Sequence, residues 1–382
     1  MYHAAVSIGI PVNAIAFDPV WNHRFIHPRH LGYPLTRSCS QSVNLIMVNA
    51  DGTFMPEQQV PLILRQNKYN IGYWEWELSE LPDDLMGRVE TYDEVWAPSQ
   101  FIADSITQSH LYDGKTPVRV VPLPLLKEEI DSNSKQNISG TSELWQSLLN
   151  KVEHAFIFLV VFDYSSIKER KNPDASILAF LDAFPLAEDK TQKYHLIMKS
   201  HHGKRKDLEH LKYIANNDPR IHFLTDILSN EDHYDLQHRA DCYVSMHRSE
   251  GYGMNILEEM GNGIPVIATN YSGNLAFFPP LQKLFGTCYF PIPYQLIELQ
   301  ESLGPYKKGN YWANPDHNFT VLAMREVVKH DCKERYGNEA SNLTMGAFGV
   351  TAIGEKLKRI LEDMRPSVIE KEMKMTKILL NK

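Results

Sequence analysis

The chain has 382 residues, of which 43% are hydrophobic and 23% charged, a composition typical of a folded protein with about two or three domains. Its 39 basic and 47 acidic residues give a net charge of −8. This charge disfavours nonspecific attraction to nucleic acid or anionic lipid, and the composition excludes disordered, collagen-like and coiled-coil classes.

The cysteines and the opening residues indicate a compartment. Cys39, Cys242, Cys288 and Cys332 are far apart and form no CxxC pair, which favours reduced thiols over a disulfide framework or a zinc site. The opening MYHAAVSIGIPVNAIAFD lacks the pattern of a signal peptide, and no window has the ~18 apolar residues of a spanning helix. We therefore expect a cytoplasmic protein. Peripheral contact with the inner face of a membrane stays open, because such patches form on folding.

Short apolar runs alternate with helical stretches in the first third of the chain. Strands are predicted over 12–17, 43–48, 70–74, 94–97 and 118–121, each of a length typical of a buried parallel strand. Ser99 is predicted to cap a helix over 99–109, where apolar residues recur at helical spacing. The polar stretch 126–140, LKEEIDSNSKQNISG, predicts a linker.

A second alternating series follows this linker. Strands are predicted over 155–162, 195–199, 221–224, 242–245 and 265–269. Helices are predicted over 174–184, 207–215, 232–239, 254–262, 319–330 and 353–364. The sequence thus predicts an α/β fold with two Rossmann-like, doubly wound domains facing a cleft. Their predicted bounds are 1–140 and 141–345, and a helical tail occupies 346–382.

The stretch 245–274, SMHRSEGYGMNILEEMGNGIPVIATNYSGN, carries the strongest functional signal. It has the order strand end, loop, helix, strand, loop. Gly251 and Gly253 allow the backbone to turn tightly beside a ligand, and the N–H groups of a helix that begins near Met254 suit a phosphate. The carboxylates of Glu250 and Glu258 are good acceptors for vicinal hydroxyls. Together these features predict a sugar nucleotide site.

The spacing of Glu250 and Glu258 within EGYGMNILE, followed by GIPVIAT and YSGN, resembles the retaining GT-B glycosyltransferases, known as glycosyl transferases group 1. Weaker similarity extends over most of the chain. NIGYWEWELSELP, EVWAPSQFIADSI and VRVVPLPL are similar to the acceptor-side domain of that family, and FDYSSIKERKNPDASILAF and WANPD to its donor-side domain. The resemblance implies that the tail crosses back to the N-terminal domain.

The resemblance also implies roles for individual residues. Glu258 would bind the ribose hydroxyls, and Glu250 would lie against the donor sugar as a catalytic residue. Backbone amides would contact sugar and phosphate, and a turn would line the donor pocket. The amides are those of Gly251, Tyr252, Gly253 and Met254, and the turn is Tyr271, Ser272, Gly273 and Asn274.

Lys171, within KERKNP, resembles the lysine with which the family neutralises the leaving diphosphate. A preorganised cation is most valuable there, because negative charge accumulates when the glycosidic bond breaks. The family usually has an Arg five or six residues earlier, where this chain has the stretch 164–166, YSS. Lys168, Arg170 or Lys199 could substitute, and Lys199 is our further donor-binding candidate.

On the acceptor side, Trp74 and Glu77 lie in the alternating stretch WEWE after a strand. Such a pattern could stack on a sugar and accept its hydroxyl protons, although core tryptophans beside solvated acids explain it equally. The family also opens with a strand and a Gly-rich loop, whereas this chain starts with the helix-like YHAAVSI. The first strand of the N-terminal domain is therefore expected to be missing.

Other classes lack their motifs. No GxGxxG follows an early strand and no GxxxxGK[ST] occurs, which argues against a dehydrogenase or a P-loop ATPase. No Asp-x-Asp is present to hold a metal–diphosphate complex. The histidine groups 23, 27 and 30, and 201 and 202, match no defined metal site.

We therefore expect a metal-independent, retaining hexosyltransferase that needs no cofactor. Its partners would be a nucleoside diphosphate sugar, either GDP-mannose or a UDP-sugar, and an acceptor hydroxyl on a saccharide, a lipid-linked saccharide or a small molecule. The missing strand and Arg keep open a catalytically weakened or inactive sugar-nucleotide or glycan-binding protein. A nucleotide-sugar epimerase is a third hypothesis.

Overall fold

The computed structural model describes residues 1–14, 41–50, 65–126, 143–189 and 193–380. The chain divides into two compact units, which we call unit 1 (Met1–Leu126 and Ala347–Lys382) and unit 2 (Lys127–Gly346). The boundaries between the units, after residues 126 and 346, compare with predicted domain boundaries after residues 140 and 345. Past residue 126 the predicted linker lies outside the described residues, as does the predicted strand 12–17 past residue 14.

Unit 1 contains a four-stranded parallel sheet in the order β1-β2-β3-β4. Its strands are β1 (Val43–Ile46), β2 (Tyr69–Tyr73), β3 (Glu94–Ala97) and β4 (Val118–Val120). Every residue of β2 and β3 is buried, because parallel strands are covered on both faces. The four strands predicted from 43 to 121 are confirmed.

The described helices of unit 1 are α1 (Tyr2–Ser7), α2 (Asp83–Met86), α3 (Gln100–Thr107) and a C-terminal helix (Val350–Leu380). As predicted, Ser99 caps α3, and its side chain accepts a hydrogen bond from the Ile102 amide. The C-terminal helix packs so closely on α1 that a Cβ at Gly354 would lie 2.6 Å from the Ala4 carbonyl oxygen. Its Leu357 and Met364 share one core with Ala5 and the sheet.

Unit 2 contains a six-stranded parallel sheet in the order β10-β9-β8-β5-β6-β7. Its strands are β5 (Phe156–Asp163), β6 (Tyr194–His201), β7 (Ile221–Leu224), β8 (Cys242–Ser245), β9 (Val266–Thr269) and β10 (Tyr289–Ile292). The five strands predicted for this region are confirmed within two residues. The predicted α/β class with parallel sheets is also confirmed, and the sheet of unit 2 is doubly wound.

Helices pack around this sheet. They are α4 (Glu143–Val152), α5 (Lys168–Lys171), α6 (Pro173–Ala183), α7 (Arg205–Ile214), α8 (Asn230–Arg239), α9 (Met254–Gly261), α10 (Phe278–Leu281), α11 (His317–Lys329) and α12 (Cys332–Phe348). An antiparallel hairpin, β11 (Tyr294–Glu298) and β12 (Tyr311–Pro315), follows β10. The sequence did not predict this hairpin, nor β10, α4, α5, α10 and α12. No helix within the described ranges is both long and apolar enough to cross a membrane.

The order of strands in unit 2 locates its functional edge. From β5 the chain builds outward through β6 and β7, and then it returns to build β8, β9 and β10 on the other side of β5. Neighbouring connections therefore diverge between β5 and β8. In doubly wound sheets ligands bind at the carboxyl ends of the strands at this switch point.

Candidate active site

Two loops meet at the switch point of unit 2. We call residues 164–172 the β5 loop and residues 246–253 the β8 loop. Asn172 Nδ2 donates to the Met246 carbonyl at 2.9 Å, and the Arg248 amide donates to the Arg170 carbonyl at 2.7 Å. These two hydrogen bonds join the β5 loop to the β8 loop and satisfy backbone groups of both. The two loops therefore form one continuous surface.

The predicted catalytic residues Lys171 and Glu250 are brought together on this surface. Lys171 Nζ donates to Glu250 Oε1 at 2.5 Å, although 79 residues separate the two in sequence. On the other side of the carboxylate, Arg170 Nη1 lies 3.2 Å from Oε2 and donates to the Ser249 carbonyl at 2.7 Å. One carboxylate thus contacts two cations.

The charge state of Glu250 follows from these contacts. Burial alone would raise its pKa, but Lys171 and then Arg170 outweigh the burial and lower the pKa of Glu250 to about 2. The carboxylate is therefore ionised at every pH at which the protein would be used. An ionised carboxylate accepts hydrogen bonds and donates none.

A third loop, after β9, fixes the backbone of Glu250. The Glu250 amide donates to Ser272 Oγ at 2.8 Å, and the Gly273 amide donates to the Glu250 carbonyl at 2.8 Å. A Cβ at Gly273 would lie 1.7 Å from the Gly251 carbonyl oxygen, so only glycine allows this approach. The structure thus places Ser272 and Gly273 behind the β8 loop, as supports for it.

The start of α9 completes the site. Gly253 has a φ of +88° and precedes Met254, the first residue of the helix. A cavity of about 40 Å³ lies between the ends of β5 and β8, and its lining includes Lys171, Glu250, Gly253 and Met254. Tyr252 is buried, with its ring edge-on to Phe277, so its side chain packs in the core.

The two neighbouring carboxyls on α9 have different environments. Glu258 is partly exposed, as a ligand contact requires. Glu259 is only 1% exposed and accepts a hydrogen bond from Gln237 Nε2 at 2.9 Å. Burial raises the pKa of Glu259 to about 8, so it is a largely protonated group of the interior at neutral pH.

Two predicted donor contacts need correction. The ammonium of Lys199 is fully buried and donates to the carbonyls of Asp226 at 2.7 Å and Ser200 at 3.2 Å. Asn274 is also fully buried, and its Nδ2 donates to the Thr269 carbonyl at 2.9 Å. Both side chains therefore bond to backbone carbonyls in the interior of unit 2 and are not exposed to a ligand.

The predicted stacking role of Trp74 also needs correction. Trp74 is 1% exposed and lies edge-on to Tyr92 in the interior of unit 1, so its ring offers no accessible face to a sugar. Glu77 is partly exposed. The alternative explanation of the pattern, core tryptophans beside more accessible acids, fits unit 1 better.

Two site residues had little signal in the sequence. The sequence suggests Arg170 only as a substitute for the absent Arg, whereas in the structure its guanidinium contacts Ser249 and Glu250. His247 is fully buried, with Nδ1 3.0 Å from Ser245 Oγ and Nε2 3.3 Å from the Tyr271 carbonyl. Burial lowers its pKa, so the ring is neutral and Nε2 carries the proton that the carbonyl accepts.

The histidines and thiols of the described residues form no metal site. Among the described residues, no group of three or more His, Cys, Asp or Glu side chains could hold a metal ion. His202 pairs with Asp163 at 2.8 Å, whereas Cys39 and the histidines at 23, 27 and 30 lie outside the described residues. Cys242, Cys288 and Cys332 are buried free thiols.

Comparisons with known proteins bear on this site. Residues 150–283, which include both loops, match the model of the family Glycosyl transferases group 1. A search of curated protein sequences found no match.

Three solved structures illustrate the similarity of the chain to known folds. Sucrose-phosphate synthase from Thermosynechococcus elongatus has a TM-score of 0.55 and 15% identity, over 85% of this chain and 74% of that one. α,α-Trehalose 6-phosphate synthase from Burkholderia multivorans has a TM-score of 0.56 and 11% identity, over 80% and 69%. A structure from E. coli, described as trehalose-6-phosphate bound with UDP-2-fluoro glucose, has a TM-score of 0.55 and 13% identity, over 84% and 73%.

At these identities the similarity to solved structures shows the fold, which is the GT-B fold. With the family match over the site, the chain is a glycosyltransferase of the GT-B class. Its second unit carries the domain of Glycosyl transferases group 1. The predicted resemblance to this family and the prediction of a glycosyltransferase are thereby confirmed, whereas retention and metal independence stay predictions.

Proposed function

We propose that the protein is a retaining glycosyltransferase that moves a hexose from a nucleoside diphosphate sugar, GDP-mannose or a UDP-sugar, to a hydroxyl of a saccharide or lipid-linked acceptor. The observation that carries this proposal is the convergence of Lys171, Glu250 and the start of α9 on one cavity. Glycosyl transfer from a nucleotide sugar needs positive charge for the leaving diphosphate and acceptors for sugar hydroxyls. These three features supply both.

Lys171 and the amides of residues 251–254 stabilise the departing diphosphate in this proposal. The helix dipole of α9 adds partial positive charge at its first turn. Removing one preorganised donor of this kind commonly lowers kcat by about 10²- to 10³-fold. No metal ion is proposed, because the lysine and the helix provide the charge that the leaving group requires.

In this proposal the carboxylates of Glu250 and Glu258 orient the donor. Glu250 accepts hydrogen bonds from hydroxyls of the transferred sugar, and Glu258 accepts them from the ribose. Neither acts as a covalent nucleophile. The bond between the anomeric carbon and the phosphate oxygen breaks, the acceptor oxygen bonds to that carbon on the same face, and the acceptor proton passes to the departing phosphate oxygen.

The acceptor is held by unit 1 in this proposal, with Glu77 as the candidate acceptor-side residue. The E. coli structure described as bound with UDP-2-fluoro glucose supports a UDP-sugar among the possible donors. The position of Arg170 supports a site without the second diphosphate cation that the family usually carries, because its guanidinium is directed to Ser249 and Glu250.

Calorimetric titration of the full chain in EDTA tests the donor site. UDP, GDP and their common sugar conjugates are titrated into the wild type, Glu258→Ala and the matched control Glu259→Gln. We expect one base to bind without metal, Glu258→Ala to lose at least about tenfold in affinity, and Glu259→Gln to bind as the wild type does.

Absence of binding to a chain that melts cooperatively would contradict the proposal. Binding without sugar transfer to any saccharide acceptor would instead favour a sugar-nucleotide-binding protein. Conversion of the sugar nucleotide without an acceptor would favour an epimerase.

A further inference from the structure

The two cations beside Glu250 are held in different ways. The Arg170 side chain is 3% exposed and donates to the carbonyls of Ser249 and Ser166 at 2.7 and 3.2 Å. It is therefore built into both loops. The Lys171 side chain is 20% exposed and lines the cavity, and its ammonium is a point charge on a flexible four-carbon stem.

A diphosphate bound at the cavity would compete with the Glu250 carboxylate for the ammonium of Lys171. Two anions at contact distance from one ammonium repel each other, and a partly buried site screens that repulsion less than water does. Lys171 must therefore turn away from Glu250 to neutralise a diphosphate fully. Glu250 can lose Lys171 without becoming an isolated charge, because Arg170 remains 3.2 Å from its other oxygen.

We propose that Glu250 holds Lys171 in an ion pair, which we call the latch. The diphosphate of the donor opens this latch by binding Lys171 in place of Glu250. Arg170 is a positioning residue here: it keeps Glu250 ionised and in place, and it does not contact the diphosphate. Glu250 then becomes available to sugar hydroxyls only when a diphosphate is present. This inference rests on the proposed function and specifies how its site is regulated.

The latch has a measurable consequence for affinity. When only a fraction of molecules is competent to bind, the apparent affinity falls by that fraction. Removing the Glu250 charge should therefore tighten the binding of a nucleoside diphosphate, although the same change removes a residue that transfer requires. The affinity for the diphosphate and the rate of transfer should move in opposite directions.

The experiment is a double-mutant cycle by calorimetry on the full chain, with UDP and GDP as probes. These probes carry no sugar, so the loss of a contact between Glu250 and sugar does not enter the measurement. Glu250→Gln is expected to tighten binding by about tenfold in the wild-type background and by less than about threefold in a Lys171→Met background. Arg170→Gln is expected to weaken binding when Glu250 is present and to have little effect in the Glu250→Gln background.

The matched control is Glu259→Gln, which alters a neighbouring carboxyl bonded to Gln237 and should leave the Kd within about twofold. Thermal melts establish that each variant is folded, and Glu250→Ala replaces Glu250→Gln if the latter does not fold. Equal tightening by Glu250→Gln with and without Lys171 would overturn the latch, since it would show only the removal of a repelling charge. Unchanged or weaker binding by Glu250→Gln would overturn it as well.

The failure of the latch and the failure of the proposed function give different results. Binding by the wild type without any gain in Glu250→Gln contradicts the latch alone. Absence of UDP and GDP binding in the wild type and in all variants contradicts the donor site itself, and the latch with it.

Discussion

Replacing Gly273 with alanine is expected to damage the site through a steric clash alone. Its new Cβ would lie 1.7 Å from the Gly251 carbonyl oxygen, whereas real Cβ atoms essentially never come within 3.0 Å of such an atom. The β8 loop and the loop that follows β9 would therefore have to separate by about 1.3 Å, a distance set by van der Waals contact.

The separation has an energetic and a functional consequence. The hydrogen bond from the Gly273 amide to the Glu250 carbonyl, now 2.8 Å, would stretch to about 4 Å and be lost. With the neighbouring bond from the Glu250 amide to Ser272 Oγ strained as well, we expect a loss of about 2 to 3 kcal/mol of unfolding free energy. For a unit of this size that lowers Tm by roughly 5 to 10 °C. A displacement of about 1 Å at Glu250 should also reduce transfer by about 10²-fold.

The assay combines thermal melting with UDP and GDP titration and a transfer measurement. Gly346→Ala is the matched control, because Gly346 lies within α12 and its added Cβ meets nothing within 4 Å. There the substitution should stabilise the protein by about 0.5 to 1 kcal/mol. If Gly273→Ala melts and binds nucleotide as the wild type does, the steric reasoning is refuted.

Three further predictions concern unit 2. The folded-state pKa of Glu259 is about 8, above its ordinary 4.5, so the folded state binds the proton more tightly and the free energy of unfolding falls as pH rises from about 4.5 to 8. In melts recorded at several pH values, Glu259→Gln should reduce this dependence on pH. An unchanged dependence would contradict the assignment. Burial lowers the pKa of His222 from 6.5 to about 4, so the unfolded state binds the proton more tightly and the free energy of unfolding falls as pH drops through that range. Denaturant unfolding of His222→Asn should show a smaller loss of unfolding free energy between pH 6.5 and 4 than the wild type. An equal loss would show that His222 does not cause it. Gly337→Ala places a Cβ 2.6 Å from the Gly263 carbonyl oxygen and should destabilise the protein by about 1 to 3 kcal/mol. This effect is opposite in sign to that of Gly346→Ala in the same helix. Equal melting temperatures for the two variants would disprove the close contact.

The strands could be predicted well because their signal is local. Runs such as 156–163 and 242–245 are short, apolar and bounded by polar residues, and burial on both faces requires that composition. The hairpin of β11 and β12 escaped prediction because much of it is exposed. No residue of β11 is buried, and the buried Trp312 and Ala313 of β12 are adjacent in sequence, so neither strand shows a strict alternation of apolar and polar residues.

The site could be predicted in part. Lys171, Glu250 and the start of α9 were found because a motif with glycines carries information about backbone shape. The roles of Lys199 and Asn274 could not be predicted, since residue type does not reveal whether a polar side chain meets a ligand or a buried carbonyl. The contact between Arg170 and Ser249 joins residues 79 positions apart, and only the pairing of β5 with β8 brings them together.

The divided chain of unit 1 bears on the order of folding during synthesis. Its core contains Ala5 near one end of the sequence and Leu357 and Met364 near the other, whereas unit 2 is a continuous segment ending at Gly346. On the ribosome, unit 2 can therefore complete its core first, whereas strands β1 to β4, although made earlier, complete their core only when the C-terminal helix has emerged. A nascent chain arrested shortly after residue 346 has emerged should already bind nucleotide, and its first 126 residues should remain sensitive to protease.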